Sequence, residues 1–106
     1  MFRVLCFRTI TYHTRMTRLM RSQVRPQIIV FKRVNPACTI CGSHDHPEAH
    51  HIYPFAMLRY DFILKTFDTK LIDSSVYHRY RGNRILKGEW CEYHRVHADL
   101  ETMCKY

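Results

Sequence analysis

The stretch CTICGSHDHPEAHH, residues 38–51, concentrates side chains that bind metals. Six of its fourteen positions are cysteine or histidine. Cys38 and Cys41 form a Cys-x-x-Cys pair followed by Gly42, a spacing typical of half of a tetrahedral zinc site. The alternative is a redox-active dithiol, but that motif lies between a strand and a helix and has few histidines around it. The sequence therefore predicts that Cys38 and Cys41 bind zinc.

A second ligand pair, Cys91 and His94, is separated from the first by 49 residues. Zinc prefers four nitrogen or sulfur ligands in a tetrahedron, and the two pairs together supply them. The alternative for His94 is an ordinary histidine on a helix surface. Cys6 and Cys104 have no evident ligand partners, so their simplest interpretation is free thiols in a reducing compartment.

His50 and His51 are adjacent and lie in a segment that ends at Pro54. In an extended strand, neighbouring side chains point to opposite faces. Two such histidines are poorly placed to bind one zinc ion together. They are well placed for two roles, one coordinating a second cation and the other accepting a proton.

The net charge of +8 is unevenly distributed. Residues 1–44 hold eight Lys or Arg and no acid, whereas residues 45–106 hold nine basic and nine acidic residues. Such a basic arm suits a polyanionic partner. A solvated tail and an organelle-targeting segment are the alternatives. No apolar run approaches the roughly 20 residues that a membrane-spanning helix needs, so no membrane partner is expected.

Local patterns predict the elements that carry these residues. Leu19, Met20 and Val24 indicate a short helix that ends at Pro26. QIIVFKRV predicts a strand because of its β-branched residues, and residues 48–53 begin extended. Residues 56–67 suit a helix. SSVYHRYRGN looks irregular or strand-like, RILKGEW a second strand, and CEYHRVHADLETMCKY helical.

Taken together, the motifs CTICG, EAHHIYPF, GN and WCEYHRVH resemble the HNH endonuclease superfamily, the ββα-metal nucleases. The similarity is to its zinc-stapled branch, common among phage and mobile-element proteins, and it covers roughly residues 27–98. It implies an α+β fold: a small zinc-stabilised, treble-clef-like HNH nuclease domain at residues 27–106, preceded by a basic arm at residues 1–26.

The resemblance also implies roles for individual residues. His51 takes the position of the general base that activates water, and His50 that of a ligand to the catalytic divalent metal. Asn83 is the candidate for the middle asparagine that orients the base. His94 stands where the family usually has a cysteine. Either His94 replaces that cysteine at zinc and His97 serves the catalytic metal, or His94 binds the catalytic metal itself.

These roles describe a metal-dependent DNA endonuclease with structural Zn²⁺ and catalytic Mg²⁺ or another divalent cation. Phosphate contacts are expected near Asn83, from Arg79, Arg81 and Arg84. Cutting both strands would require a homodimer or a second event, and the free thiols favour a cytoplasmic location. The alternatives are a non-catalytic zinc-binding, nucleic-acid-binding module and a small zinc-stabilised interaction factor. Neither of them needs the His50–His51 pair.

Overall fold

Four helices and one two-stranded sheet make up residues 11–104, the part of the chain that the structure, a computed structural model, describes. In chain order they are α1 (Tyr12–Val34), β1 (Glu48–His51), α2 (Phe55–Phe67), α3 (Ser74–Arg81), α4 (Arg84–His97) and β2 (Leu100–Met103). The predicted α+β class is confirmed, as are the extended stretch at β1 and the helix at α2.

Helix α1 is the longest element and packs against the other three helices and β1. Its N-cap is Thr11, whose hydroxyl oxygen accepts a hydrogen bond from the Thr14 N–H. One face of this helix is buried at four-residue spacing by Met16, Met20 and Val24. The predicted boundary at residue 26 therefore falls inside a helix that packs on the core.

The prediction of a helix end at Pro26 and a strand at residues 27–34 is wrong, because α1 continues to Val34. Pro26 removes one backbone donor, and β-branched residues disfavour a helix by only a few tenths of a kcal/mol each. Ile29 and Val30 are largely exposed, so packing does not depend on them. Gln27 links this half of α1 to α4, because its amide donates to the Cys91 carbonyl at 2.8 Å.

Two further segments predicted as strand-like are helices, α3 and α4. Asp73 and Asn83 cap them, accepting hydrogen bonds from backbone N–H groups three residues later. Gly88, within the segment RILKGEW predicted as a strand, lies inside α4, where an exposed glycine costs about 1 kcal/mol relative to alanine. The buried Trp90 offsets that cost: its indole N–H donates to the Met20 carbonyl at 2.9 Å.

The last helix ends earlier than predicted, at His97, and the chain then forms β2. β2 pairs antiparallel with β1, so that His50 faces Glu101 and His51 faces Leu100 across the sheet. Thr102 anchors β2 to the end of α1. Its side chain is fully buried, and its hydroxyl donates a hydrogen bond to the Asn35 carbonyl. Such long-range partners leave little trace in a short sequence window.

Candidate metal centre and histidine pair

Three cysteine thiols meet where the turn after α1 reaches the end of β2. The Sγ atoms of Cys38, Cys41 and Cys104 lie within 4.8 Å of one another, and those of Cys41 and Cys104 are 3.3 Å apart. Sulfurs bound to one tetrahedral zinc would be roughly 3.8 Å apart. Within residues 11–104, no other three Cys, His, Asp or Glu side chains bring their ligand atoms this close together. The three thiols could hold an ion such as zinc.

The backbone of the turn favours the thiolate form of Cys38, which is the form that binds a metal cation. Gly42 has φ +74°, in the left-handed region that favours glycine, and its N–H donates to the Cys38 carbonyl at 2.8 Å. Cys38 Sγ accepts hydrogen bonds from the N–H groups of Cys41 and Ile40, which lower the pKa of Cys38 to about 6. Hydrogen bonding with Cys41 and then Cys38 raises the pKa of Cys104 to about 12. Metal binding would therefore release protons.

Cys104, interpreted from the sequence as a free thiol, lies in the one cysteine cluster of residues 11–104 that could hold a metal ion. The Thr39 N–H donates to the Thr102 carbonyl at 2.8 Å, which ties the cysteine turn to β2. Cys104 follows β2 directly and so arrives beside Cys38 and Cys41. A strand pairing that is visible only in the fold brings in the third thiol.

The prediction that Cys91 and His94 complete the zinc site does not match the structure. Both lie on α4, which packs against α1. The Cys91 thiol donates to the Gln23 carbonyl at 3.5 Å, and burial raises its pKa, which favours the protonated form over the thiolate that zinc needs. His94 is fully buried and is occupied by other partners.

Those partners form the second notable arrangement, a histidine pair between β1 and α4. The Nε2 atoms of His51 and His94 are 2.9 Å apart, a direct hydrogen bond. His94 Nδ1 lies 2.8 Å from the Oε1 atom of Gln27. Phe55 and Trp90 pack around the His94 ring at 6.3 and 5.8 Å between centroids. Residues of β1, α4 and α1 thus hold the pair in place, and aromatic rings pack against it.

Both imidazoles are kept neutral near pH 7. Burial, followed by the proximity of His51, lowers the pKa of His94 to about 4. Burial and then the positive charge of Arg21 lower the pKa of His51. A neutral imidazole with a free nitrogen is able to accept a proton, which an imidazolium is not.

A cleft of about 560 Å³ opens beside His51 between α1 and β1. Arg21 and Arg25 line it, together with Glu48 and Phe55. The Arg21 guanidinium lies 4.3 Å from the centre of the Phe55 ring, a cation–π contact that fixes its position. The cleft therefore brings His51 together with two positive charges, from Arg21 and Arg25, and one negative charge, from Glu48.

His50 and His97, predicted to bind the catalytic metal, occupy different surroundings. His50 Nε2 is buried and has no hydrogen-bond partner among residues 11–104. A metal ligand would have such an orphaned nitrogen, so His50 fits that role. His97 is exposed beside a separate cavity, and its ring lies 4.3 Å from the Tyr93 ring, tilted by 43°. That the two share one ion stays a prediction.

The remaining predicted residues lie around the junction of α3 and α4. The Asn83 side chain accepts from the Leu86 N–H at 3.1 Å, so its hydrogen bond goes to the helix rather than to His51. Arg79 stacks over the Phe67 ring at 5.0 Å, and Arg81 and Arg84 are exposed. Their contact with phosphate stays a prediction. Sequence reasoning missed Gln27 and Arg21, because neither belongs to a motif and both reach the site only through the packing of α1.

Comparison of the chain with protein-family models, with curated proteins and with solved structures gave no significant match. The resemblance to HNH nucleases therefore rests on the residues themselves. In the part of the chain that the structure describes, none of the helices has the length and apolar character needed to cross a membrane.

Proposed function

We propose that this chain is a metal-dependent endonuclease of HNH type that hydrolyses DNA phosphodiester bonds with His51 as the general base. The observation that carries the proposal is the setting of His51. Its imidazole is neutral, is braced by His94 at 2.9 Å, and lines a cleft together with Arg21 and Arg25.

Phosphodiester hydrolysis needs a base that takes a proton from the attacking water. An imidazole suits this task near neutral pH when it is unprotonated and correctly positioned. The hydrogen bond to His94 and the packing of Phe55 at 5.3 Å restrict the orientation of the His51 ring. Such a fixed side chain avoids the entropic cost of ordering a base during the reaction.

The cleft arginines supply what an anionic substrate requires. Guanidinium groups bind phosphate oxygens with paired hydrogen bonds. Arg21 and Arg25 lie on α1, within the basic segment that accounts for the positive charge of the chain. A DNA backbone laid along α1 would bring a phosphate to His51 while neighbouring phosphates meet the other basic residues of this helix.

Two metals take part in the proposal in different ways. Zinc at Cys38, Cys41 and Cys104 would staple the turn to the end of β2. His50 would hold the catalytic divalent cation, which fits its buried, unpartnered Nε2 atom. Mg²⁺ or another divalent cation bound there would stabilise the negative charge that develops on the scissile phosphate.

The decisive experiment is nicking of supercoiled plasmid DNA by the zinc-loaded chain with added Mg²⁺ or Mn²⁺. We expect wild type to convert supercoiled to open-circular DNA and His51→Ala to lose at least about a hundredfold in rate, the usual contribution of a general base. His78→Ala is the matched control, since His78 is an exposed histidine on α3.

Circular dichroism and zinc content must show that His51→Ala is folded. If His78→Ala loses as much activity as His51→Ala, His51 has no special role. If wild type binds DNA without cutting it under any divalent cation, the chain is better described as a zinc-binding, nucleic-acid-binding module.

A further inference from the structure

The amide of Gln27 has only one orientation that satisfies its neighbours. One end of the amide lies 2.8 Å from the Cys91 backbone carbonyl, which accepts hydrogen bonds and cannot donate them. The NH₂ group must therefore point to that carbonyl. This leaves Oε1 facing His94 Nδ1, also at 2.8 Å.

The Gln27 oxygen in turn determines the tautomer of His94. An amide oxygen only accepts, so His94 must carry its proton on Nδ1. The Nε2 atom of a neutral His94 is then a bare acceptor. Protonating both nitrogens would place a charge on a side chain that is fully buried and has no carboxylate among its partners.

The same logic continues to His51. Its Nε2 atom lies 2.9 Å from the bare Nε2 of His94, so it must supply the proton of this hydrogen bond. A neutral His51 with Nε2 protonated has its lone pair on Nδ1. Within residues 11–104, His51 Nδ1 is neither buried without a partner nor engaged in a hydrogen bond.

We propose that Gln27 and His94 are positioning residues that hold His51 in the tautomer with Nε2 protonated and Nδ1 free to accept a proton. The order of contacts is the Cys91 carbonyl, the Gln27 amide, the His94 ring and the His51 ring. The catalytic consequence of this arrangement rests on the proposed nuclease function, but the arrangement itself does not.

The test is nitrogen NMR of the full, zinc-loaded chain with ¹⁵N-labelled histidine rings at neutral pH. Protonated and bare ring nitrogens give well-separated signals, and His51→Gln and His94→Gln assign them. We expect His51 to show a protonated Nε2 and a bare Nδ1, and His94 the reverse.

Variants of Gln27 then test the cause. Gln27→Met removes the acceptor while keeping the side-chain length, so the tautomers of both histidines should become mixed. Gln23→Met is the matched control, because Gln23 lies one turn earlier on α1 and accepts from the Tyr80 hydroxyl. It should leave the spectrum of His51 unchanged.

Two results would overturn the inference: a protonated Nδ1 on His51 in wild type, or an unaltered His51 spectrum in folded Gln27→Met. A nicking assay separates this inference from the nuclease. Loss of one hydrogen bond should lower the nicking rate of Gln27→Met by roughly five- to tenfold. A wild type that shows the predicted tautomers and never nicks would refute the nuclease and leave the positioning of His51 intact.

Discussion

The cysteine centre and the histidine pair are built from the chain in different ways. Two of the three cysteine thiols come from one turn, and Cys41 is exposed. The histidine pair needs β1, α4 and α1 together, and His94 is 0 % exposed. A short turn creates most of the first site, whereas the second exists only when three elements pack.

This difference decides what each site depends on. The cysteine centre gathers three thiols that could hold a metal ion, and a bound cation would relieve the mutual repulsion of their ionised forms. The histidine pair is satisfied by protein groups alone and depends on the core around Trp90 and Phe55. Each should therefore break without the other breaking first.

The largest effect is expected from removing a metal ligand. Cys104→Ser should lose stoichiometric zinc and lower the melting temperature by roughly 12–24 °C, the shift that about 3 kcal/mol produces in a domain of this size. Zinc content by mass spectrometry and thermal unfolding by circular dichroism measure both effects.

The matched control for that variant is Cys91→Ser, a cysteine outside the centre. It should keep its zinc, because its thiol contacts the Gln23 carbonyl and not the metal site. Retained zinc in Cys104→Ser together with lost zinc in Cys91→Ser would restore the ligand set expected from sequence, Cys38, Cys41, Cys91 and His94.

The next effect distinguishes the two histidines of α4. His94→Ala leaves a cavity and deprives both His51 and Gln27 of a partner, so it should reduce the free energy of unfolding by about 2–4 kcal/mol. His97→Ala should stay within about 0.5 kcal/mol, as expected for an exposed side chain. Urea unfolding measures the free energy of unfolding of both variants. Equal decreases would mean that His94 contributes no more to stability than the exposed His97.

The contrast also explains how far the sequence could be interpreted. The cysteine turn is a local motif, so Cys38, Cys41 and the turn at Gly42 could be predicted. Cys104 could not, because its approach depends on the pairing of Thr102 with Ala49 across the sheet. The extended segment at His50 and His51 follows from local pattern, whereas the partner of His51 on α4 does not.

The helices show the same limit. β-branched residues after Pro26 and Gly88 within α4 are local signals against a helix, and in both places tertiary packing outweighs them. Trp90 stabilises α4 through a hydrogen bond to α1 and a contact with Phe62. Both partners are distant in the sequence, so a pattern read from neighbouring residues does not detect them. Gln27 carries no signal at all, because a glutamine on a helix surface and a glutamine bonded to a histidine look identical in sequence.

Acid should weaken the histidine pair in a defined pH range. The pKa of His94 is lowered to about 4 in the folded chain from its ordinary value of 6.5. Its neutral form thus contributes stability that is complete above pH 6.5 and is lost as the pH falls towards 4, by up to about 3 kcal/mol. His94→Gln cannot titrate, so its unfolding free energy should fall less between these pH values. Parallel losses in the two proteins would show that other groups cause the acid sensitivity.

The smallest effect concerns the arginines. Arg21→Gln removes a charge from the cleft beside His51, and Arg84→Gln removes one from the junction of α3 and α4. If the phosphate lies in the cleft, Arg21→Gln should weaken DNA binding several-fold and reduce the salt dependence of the binding constant by about one phosphate contact. It should also raise the pKa of His51, because the positive charge of Arg21 lowers it.

Fluorescence anisotropy with a labelled duplex at several salt concentrations measures DNA binding and its salt dependence. A larger change in salt dependence for Arg84→Gln would move the DNA away from the histidine pair and towards the arginines near Asn83.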